Sequence, residues 1–262
     1  MGEERPTVGL ALGAGAAKGI AHIGVLQVLK EADINIDYLA GTSIGSMIGG
    51  FYAAGLDLKW IERIAYQINW DLLTDFTVPR QGLIAGKKVK AFVQLLTKSK
   101  RFSDLDIPFA AVATDIEKGE EVILQDGLVA DAIRASTSIP GVYVPYRIDN
   151  RLLVDGAILN RIPVNVVQNL GADVIIGVDV GFDFQENKVN NIFDVILTSI
   201  RIMEQEVFDK RIIEADVLIR PEVGYIAPQD LDRAEEAVAA GIEAAQKALP
   251  QIKESIERWE EQ

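Results

Sequence analysis

Two glycines bracket Ser43, each two residues away, in the run Gly41-Thr42-Ser43-Ile44-Gly45. A short apolar run, Ile36 to Ala40, leads into it, and a small-residue helix pattern, Ser46 to Ala54, leads out. Gly-x-Ser-x-Gly between a strand and a helix is the signature of a nucleophile elbow, a turn that holds a serine hydroxyl out beyond the carboxyl end of a sheet. Residues two positions either side must lack a bulky Cβ for the chain to turn that sharply. The hydroxyl then stands at a helix N-terminus, whose unpaired N–H groups favour negative charge developing nearby. The chemistry predicted is nucleophilic attack by Ser43.

A second stretch suits the same chemistry. Gly13-Ala14-Gly15-Ala16-Ala17-Lys18-Gly19 follows an apolar run, Thr7 to Leu12, and opens a helix pattern from Ala17 to Ala32. Gly19, Ala21 and Gly24 on that helix are spaced to let it approach a sheet closely. Glycine loops at helix N-termini bind anions. One use is a dinucleotide pyrophosphate, with Gly13, Gly15 and Gly19 as a variant fingerprint and Asp37 as the ribose acid. The other is an oxyanion hole, where the amides face the alkoxide of an acyl transfer. A dinucleotide fold has no use for an elbow on its second strand, whereas an esterase needs both, so the oxyanion reading is preferred.

Serine at neutral pH needs a partner to take its proton. The chain holds one histidine, His22, which precedes Ser43 and sits inside the apolar first helix as a core residue does. Mechanisms with a histidine after the elbow and multi-histidine metal sites are therefore excluded. The absence of cysteine removes disulfides, thiolate metal sites and cysteine nucleophiles. No calcium-loop spacing of carboxylates occurs, so neither metal nor cofactor is expected. A carboxylate remains. Asp115, Asp155 and Asp179 each lie at or near the end of an apolar run and would project from the same edge of a sheet as Ser43. Spacing does not choose among them, although a turn at Gly156 would swing the Asp155 carboxylate inward. An aspartate, poorly matched in pKa to a serine hydroxyl, relies on position and on a strong oxyanion hole.

These groups need a scaffold. With 262 residues, 49% apolar and 25% charged, the chain suits a globular protein with a substantial core. Beyond the elbow, strands are predicted at Phe109 to Ala113, Glu121 to Leu124, Arg151 to Val154, Val174 to Val180 (a central strand) and Asp216 to Arg220. Helices are predicted at Ala130 to Ser136, Ile192 to Glu214 and Leu231 to Arg258. Alternating strands and helices imply an α/β fold with a mainly parallel sheet covered on both faces. Asp57 to Phe102 reads as a mostly helical insertion after the elbow, a lid candidate, with a turn at Pro79 to Gly82. A single domain over 1–262 is expected, with its core at 5–220 and a C-terminal helical segment at 221–262.

The net charge of −13 argues against nucleic-acid binding, which relies on a basic surface. Charge is nonetheless uneven. Between Phe76 and Phe102 stand Arg80, Lys87, Lys88, Lys90, Lys98, Lys100 and Arg101 with no acid, interleaved with Leu83, Ile84, Phe92, Leu95 and Leu96. Residues 80–101 thus read either as a lid that meets anionic membrane or an acyl substrate, or as an amphipathic helix whose lysines pair with acids from elsewhere. At the N-terminus Glu3 and Glu4 outweigh Arg5, against a signal peptide, and Pro6 stands where myristoylation needs Ser or Thr. No apolar run reaches the roughly 18 residues of a spanning helix. A cytoplasmic protein, at most peripheral on the inner membrane face, is expected.

Three blocks in this order resemble the bacterial patatin-like phospholipases, serine acyl hydrolases related to plant patatin. They are the loop Gly13 to Gly19, the elbow Gly41 to Gly45, and Asp155-Gly156-Ala157. Ile20 to Leu26, Ile107-Pro108, Ala113-Thr114-Asp115, Arg134-Ala135-Ser136, Ile139-Pro140-Gly141 and Gly171-Ala172-Asp173 look like the family as well, so the resemblance runs from about residue 7 to 220. It implies a single patatin-like domain and a dyad of Ser43 as nucleophile and Asp155 as base. The amides around Ala14, Gly15 and Ala16 would hold the oxyanion, and Lys18 stands where the family has Arg or Lys. The implied substrate is an acyl ester, typically a phospholipid or lysophospholipid, cleaved through an acyl-serine. The chain departs from the family at Ala14 and Ala16, where glycine is usual. If either site needs φ > 0, alanine costs on the order of 1 kcal/mol. That departure motivates the rival reading, a weakly active or inactive lipid-binding or regulatory protein on the same fold.

Overall fold

Runs such as Val8–Leu12 and Val174–Val178 carry no polar residue to turn toward water, which requires a strand covered on both faces. Both are buried throughout. The computed structural model describes residues 5–78, 80–181, 192–210 and 214–260. In chain order the first half contains β1 (Val8–Leu12), a 3-10 turn (Ala16–Ile20), α1 (Ala21–Glu31), β2 (Tyr38–Thr42), α2 (Ile44–Ala53), α3 (Leu58–Gln67), α4 (Trp70–Leu73), β3 (Gly82–Ile84) and α5 (Lys87–Leu96). Next come β4 (Phe109–Asp115), β5 (Glu120–Leu124), α6 (Val129–Ser136), β6 (Gly141–Tyr143), β7 (Tyr146–Ile148) and β8 (Arg151–Asp155). The last are α7 (Val164–Leu170), β9 (Val174–Val178), α8 (Ile192–Lys210), β10 (Val217–Ile219) and α9 (Ala234–Glu260).

The strands β10, β9, β1, β2 and β4 run parallel in that spatial order. The sheet alternates large and small residues. Leu10, Leu12, Leu39 and Phe109 belong to the cluster shared with α1, α2 and α9, while Ala11, Ala40 and Ala110 belong to the cluster shared with α7. Helices therefore cover both faces, as the alternation of elements predicts. The strand Val174–Val178 lies one place in from β10 rather than at the centre.

β4 has a double neighbour. Val112 pairs with Thr42 of β2 and with Ile123 of β5, whereas Ala113 pairs with Asp155 of β8 and with Val122 of β5. A strand has only two edges, and β5 occupies one of them along this length. β2 and β8 therefore lie in succession on the other edge, β2 parallel and β8 antiparallel, with their carboxyl ends meeting.

The insertion is built mainly of helix, α3, α4 and α5, with one short strand. α4 is a single turn, and Gly82–Ile84 is a strand pairing in parallel with β6. Pro79 lies outside the described residues, as do Glu3, Glu4 and residues 211–213 of the predicted long helix. α7 and the short strands β3, β6 and β7 went unpredicted, each being too brief to show a period. α9 is not an appendage, since Val238, Ala245 and Ile252 join the main core. Among the described residues no helix is long and apolar enough to cross a membrane.

The close-approach glycines of α1 serve helices rather than the sheet. A Cβ at Gly24 would fall on the Val238 carbonyl of α9, and one at Gly241 on the Ala21 carbonyl of α1. Gly19 makes room for the Ile44 side chain. Alanine is the better helix former by about 1 kcal/mol, yet here its methyl meets backbone that cannot swing aside. Gly241→Ala is expected to lower the unfolding free energy by about 1–3 kcal/mol in urea denaturation; a stabilised variant would contradict this crossing.

Candidate active site

The meeting of β2 and β8 on one edge of β4 brings Ser43, the residue after β2, against Asp155, the last of β8. Ser43 Oγ donates to Asp155 Oδ2 at 2.6 Å, with the two residues only 7% and 4% exposed. Ser43 has φ 55° and ψ −124°, a combination L-residues rarely adopt. The sharp turn depends on its glycines. A Cβ at Gly41 would strike the Gly45 carbonyl, and one at Gly45 would strike the carbonyl of Leu12.

The end of α6 closes the gap between the two strands. Ser43 N–H donates to Ser136 Oγ at 2.9 Å, and that hydroxyl donates to the Val112 carbonyl at 2.6 Å. Asp155 N–H donates to the Ser138 carbonyl at 3.0 Å. Ser138 Oγ in turn accepts from the buried Arg134, which also donates to the carbonyls of Ala85 and Val144. Gly156 lets Asp155 turn, because a Cβ there would meet the Val112 carbonyl. Ala157 N–H reaches back to Asp155 Oδ1 at 2.9 Å. Burial pushes the Asp155 carboxyl up to about 6, against the opposing pull of the Ser43 and Ala157 hydrogen bonds.

The other two aspartates are occupied elsewhere. Asp115 Oδ1 accepts from the amides of Glu117 and Lys118 and closes the β4–β5 turn. Asp179 pairs with Arg161 at 2.8 Å and accepts from Gly181 N–H. Asp37, the alternative ribose acid, takes both nitrogens of the Arg5 fork at 2.7 Å and the Val8 amide at 2.8 Å. His22 is fully buried. Its pKa is lowered to about 4 by burial, and its neutral ring donates from Nε2 to the Gly13 carbonyl at 2.8 Å.

The glycine loop is pinned from below. Gly13 N–H donates to the Val178 carbonyl at 3.1 Å, and Ala14 N–H to the Arg161 carbonyl at 3.0 Å. Ala14 was expected to offer its amide to an oxyanion, and this bond corrects that expectation. The N–H groups of Gly15 and Ala16 have no protein partner among the described residues. Gly15 is buried with no room for a Cβ beside Val180, and Ala16 adopts φ 50°. Gly15 is buried and Ala16 half-buried, and both line a cavity beside Ser43. Lys18 is buried in the 3-10 turn that follows.

Two cavities converge on Ser43 and share Ala16, Trp70 and Ile139. One is apolar, with Met47, Phe51, Ile61 and Phe92 among its walls, and holds about 820 Å³ of space, mouth included. The other is more polar and includes Gly15, Asp155, Glu204 and Gln229. Trp70 lines both, its indole N–H donating to the Gln229 carbonyl at 2.8 Å. Ser136, Ser138, Arg161, Trp70 and Glu204 are the site residues that sequence reasoning did not single out. Ser136 lies in the block Arg134-Ala135-Ser136 and Trp70 in the insertion, and nothing in the spacing of either signals a place in the site.

The patatin-like phospholipase family profile matches residues 10–167. An uncharacterized NTE family protein of Mycobacterium tuberculosis is 40% identical over 180 residues, covering 68% of this chain and 50% of the relative. A patatin-like phospholipase domain-containing protein of Caenorhabditis elegans is 37% identical over 182 residues, covering 66% of this chain and 14% of that protein. The chain thus spans half the length or less of these relatives. Among solved structures, VipD from Legionella pneumophila superposes with a TM-score of 0.67 at 14% identity, over 96% of this chain and 67% of that one. ExoU from Pseudomonas aeruginosa, in complex with SpcU, gives 0.53 at 13% identity, over 97% and 53%. These structures share the fold, and the sequence matches go further: the chain belongs to the patatin-like phospholipase family.

Proposed function

We propose that this chain is an acyl-ester hydrolase working through a Ser43–Asp155 dyad. The observation that carries the reading is the buried hydrogen bond of 2.6 Å from Ser43 Oγ to Asp155 Oδ2. As Oγ attacks the acyl carbonyl, Asp155 takes the hydroxyl proton and the carbonyl electrons move onto oxygen. The Gly15 and Ala16 amides then face the developing oxyanion. Collapse of the adduct expels the alcohol, which leaves with the proton held by Asp155. Water attacks the acyl-serine in a second round, with Asp155 again as base, and releases the carboxylic acid. Phospholipids, lysophospholipids and simpler carboxylic esters fit this chemistry, the acyl chain lying in the apolar cavity and the alcohol in the polar one.

A base near 6 suits the task better than an ordinary aspartate. It remains ionised at neutral pH yet takes a proton more readily. Burial supplies that shift with no histidine involved.

The reading is tested with a fluorophosphonate probe and mass spectrometry. An adduct is expected on Ser43, absent in Ser43→Ala, and slowed by about a hundredfold or more in Asp155→Asn. An adduct rate unchanged in Asp155→Asn would remove Asp155 from the mechanism. A folded protein that never labels, even with lipid micelles present, would favour the non-catalytic lipid-binding reading.

The pH profile follows from the raised pKa. Asp155 must be ionised to accept the proton, so kcat/KM for a p-nitrophenyl ester should fall about tenfold per unit below an acid limb near pH 6 and level off above it. A limb near 4 would mean that the working carboxylate is not buried.

The two alanines of the loop should respond in opposite ways. Ala16 sits at positive φ and Ala14 does not. Ala14→Gly should lose about 0.5–1 kcal/mol of stability through backbone entropy, whereas Ala16→Gly should be neutral or stabilising, with activity retained. Chemical denaturation of both variants checks the contrast.

A further inference from the structure

α5 has two very different faces. Inward, Val89 and Phe92 wall the apolar cavity that reaches Ser43. Outward, Lys87, Lys88, Ala91 and Leu95 are exposed, and Lys98 continues this face beyond the helix. Their spacing of three or four residues places them on one side of the helix. Each end of this face carries large apolar side chains in water. At the start, residues 71–78 fold back on 82–88: Phe76 bridges Ile84, Thr77 N–H donates to Leu83, and Lys88 Nζ donates to the Asp71 carbonyl. Phe76 is 83% exposed and Val78 74%, with Leu72 and Arg80 also exposed. At the far end Leu95, 75% exposed, shares a shallow depression with Trp60 and Lys98.

A stable water-facing surface does not ordinarily group such residues. Cations set among exposed aromatic and aliphatic side chains are what an interfacial surface requires, with apolar groups entering the acyl boundary and ammonium groups meeting phosphate. The charge balance selects the kind of lipid. On a chain of net charge −13, the stretch between Phe76 and Phe102 holds no acid. Of the neighbouring acids, Asp75 caps α5 through the Gly86 and Lys87 amides and Asp131 pairs with Lys90 at 2.6 Å, whereas Asp71 is exposed beside Leu72 and Asp57 and Asp106 line the depression at the far end. Lys90 and Lys100, the latter 3.5 Å from Asp106, are thereby spent inside the fold. Arg80, Lys87, Lys88 and Lys98 remain to face outward.

We infer that the outer face of α5, with Leu72, Phe76 and Val78 at one end and Trp60 and Leu95 at the other, docks on an anionic lipid bilayer. Docking there sets the wall of the apolar cavity, Val89 and Phe92, one helix thickness from the lipid. The surface is narrower than the whole basic stretch 80–101. It does not depend on the hydrolase reading, because binding is measured apart from turnover.

The test is co-sedimentation of the full chain with vesicles of phosphatidylcholine alone and with vesicles containing roughly one-third phosphatidylglycerol. Binding to the anionic vesicles is expected at low salt and should be lost near 0.5 M salt, where the screening length drops to about 4 Å. Lys87→Glu with Lys98→Glu should weaken it by about tenfold or more. Lys30→Glu with Lys253→Glu, the same change in net charge on α1 and α9, should leave it unchanged. Phe76→Ser with Leu95→Ser should also weaken binding while hydrolysis of p-nitrophenyl butyrate in solution stays at the unaltered rate. Equal binding to neutral and anionic vesicles, or equal loss from both charge-reversal pairs, would overturn the inference. So would light scattering that shows a dimer dissociated by the Phe76 and Leu95 changes with no vesicle binding, since a second copy would then be the occupant.

Discussion

Sharing one edge of β4 between β2 and β8 is the constraint on which the site depends. Val112 and Ala113 are consecutive, yet the first pairs with Thr42 and the second with Asp155. Two strands that approach each other along one edge must stop before they collide, and each stops by turning sharply. β2 turns into α2 through Ser43, and β8 turns through Gly156. The junction interrupts the backbone ladder, so its polar groups need other partners. Ser136 and Ser138 at the end of α6 supply them, one through its hydroxyl and the other through its carbonyl. The gap that would be a defect in a structural sheet is the place where a hydroxyl and a carboxylate are held in contact.

In the proposed mechanism, that contact is what would let a chain with a single histidine, buried in its core, activate Ser43. Desolvation and hydrogen bonding act oppositely on Asp155, and desolvation dominates. A fully solvated aspartate would be too weak a base, while one left without donors would be protonated at neutral pH. The Ala157 amide and the Ser43 hydroxyl supply enough stabilisation to keep the carboxyl near 6. His22 serves in another capacity. Neutral because it is buried, it fixes the Gly13 carbonyl and so the start of the loop whose Gly15 and Ala16 amides have no protein partner among the described residues.

What could be read from the sequence follows from the range of the interactions involved. The elbow is local: Gly41 and Gly45 are required by contacts within a few residues and with the adjacent strand, so the pentapeptide and its flanks reveal it. The buried parallel strands show themselves as apolar runs for the same reason. Residue spacing left Asp115, Asp155 and Asp179 equivalent, because choosing among them depends on which edge of β4 each strand joins. The family resemblance, and not spacing, pointed to Asp155, the one that meets Ser43 in the structure. The engagement of the Ala14 amide was equally hidden, since its acceptor, Arg161, is remote in the chain. Within the basic stretch, Lys90 and Lys100 pair with acids brought from elsewhere in the fold, Asp131 and Asp106, and distance along the chain hid those partners; Lys87, Lys88 and Lys98 are exposed.

The family match also ends short of a closed site. Residues 10–167 include Ser43, Asp155 and the glycine loop, yet the loop is positioned from beyond that range. Gly13 N–H is held by the Val178 carbonyl, Gly15 packs against Val180, and Asp179 grips the Arg161 whose carbonyl holds Ala14. β9 itself sits against β1 along its whole length, so it fixes the strand from which the loop departs. α9 performs the same service one layer out, through the glycine crossing with α1. The residues proposed to carry the chemistry are therefore concentrated in the matched segment, while part of what sets their geometry lies after it. A fragment cut at the end of the match would keep Ser43 and Asp155 and lose the support of the Gly13 to Gly19 loop.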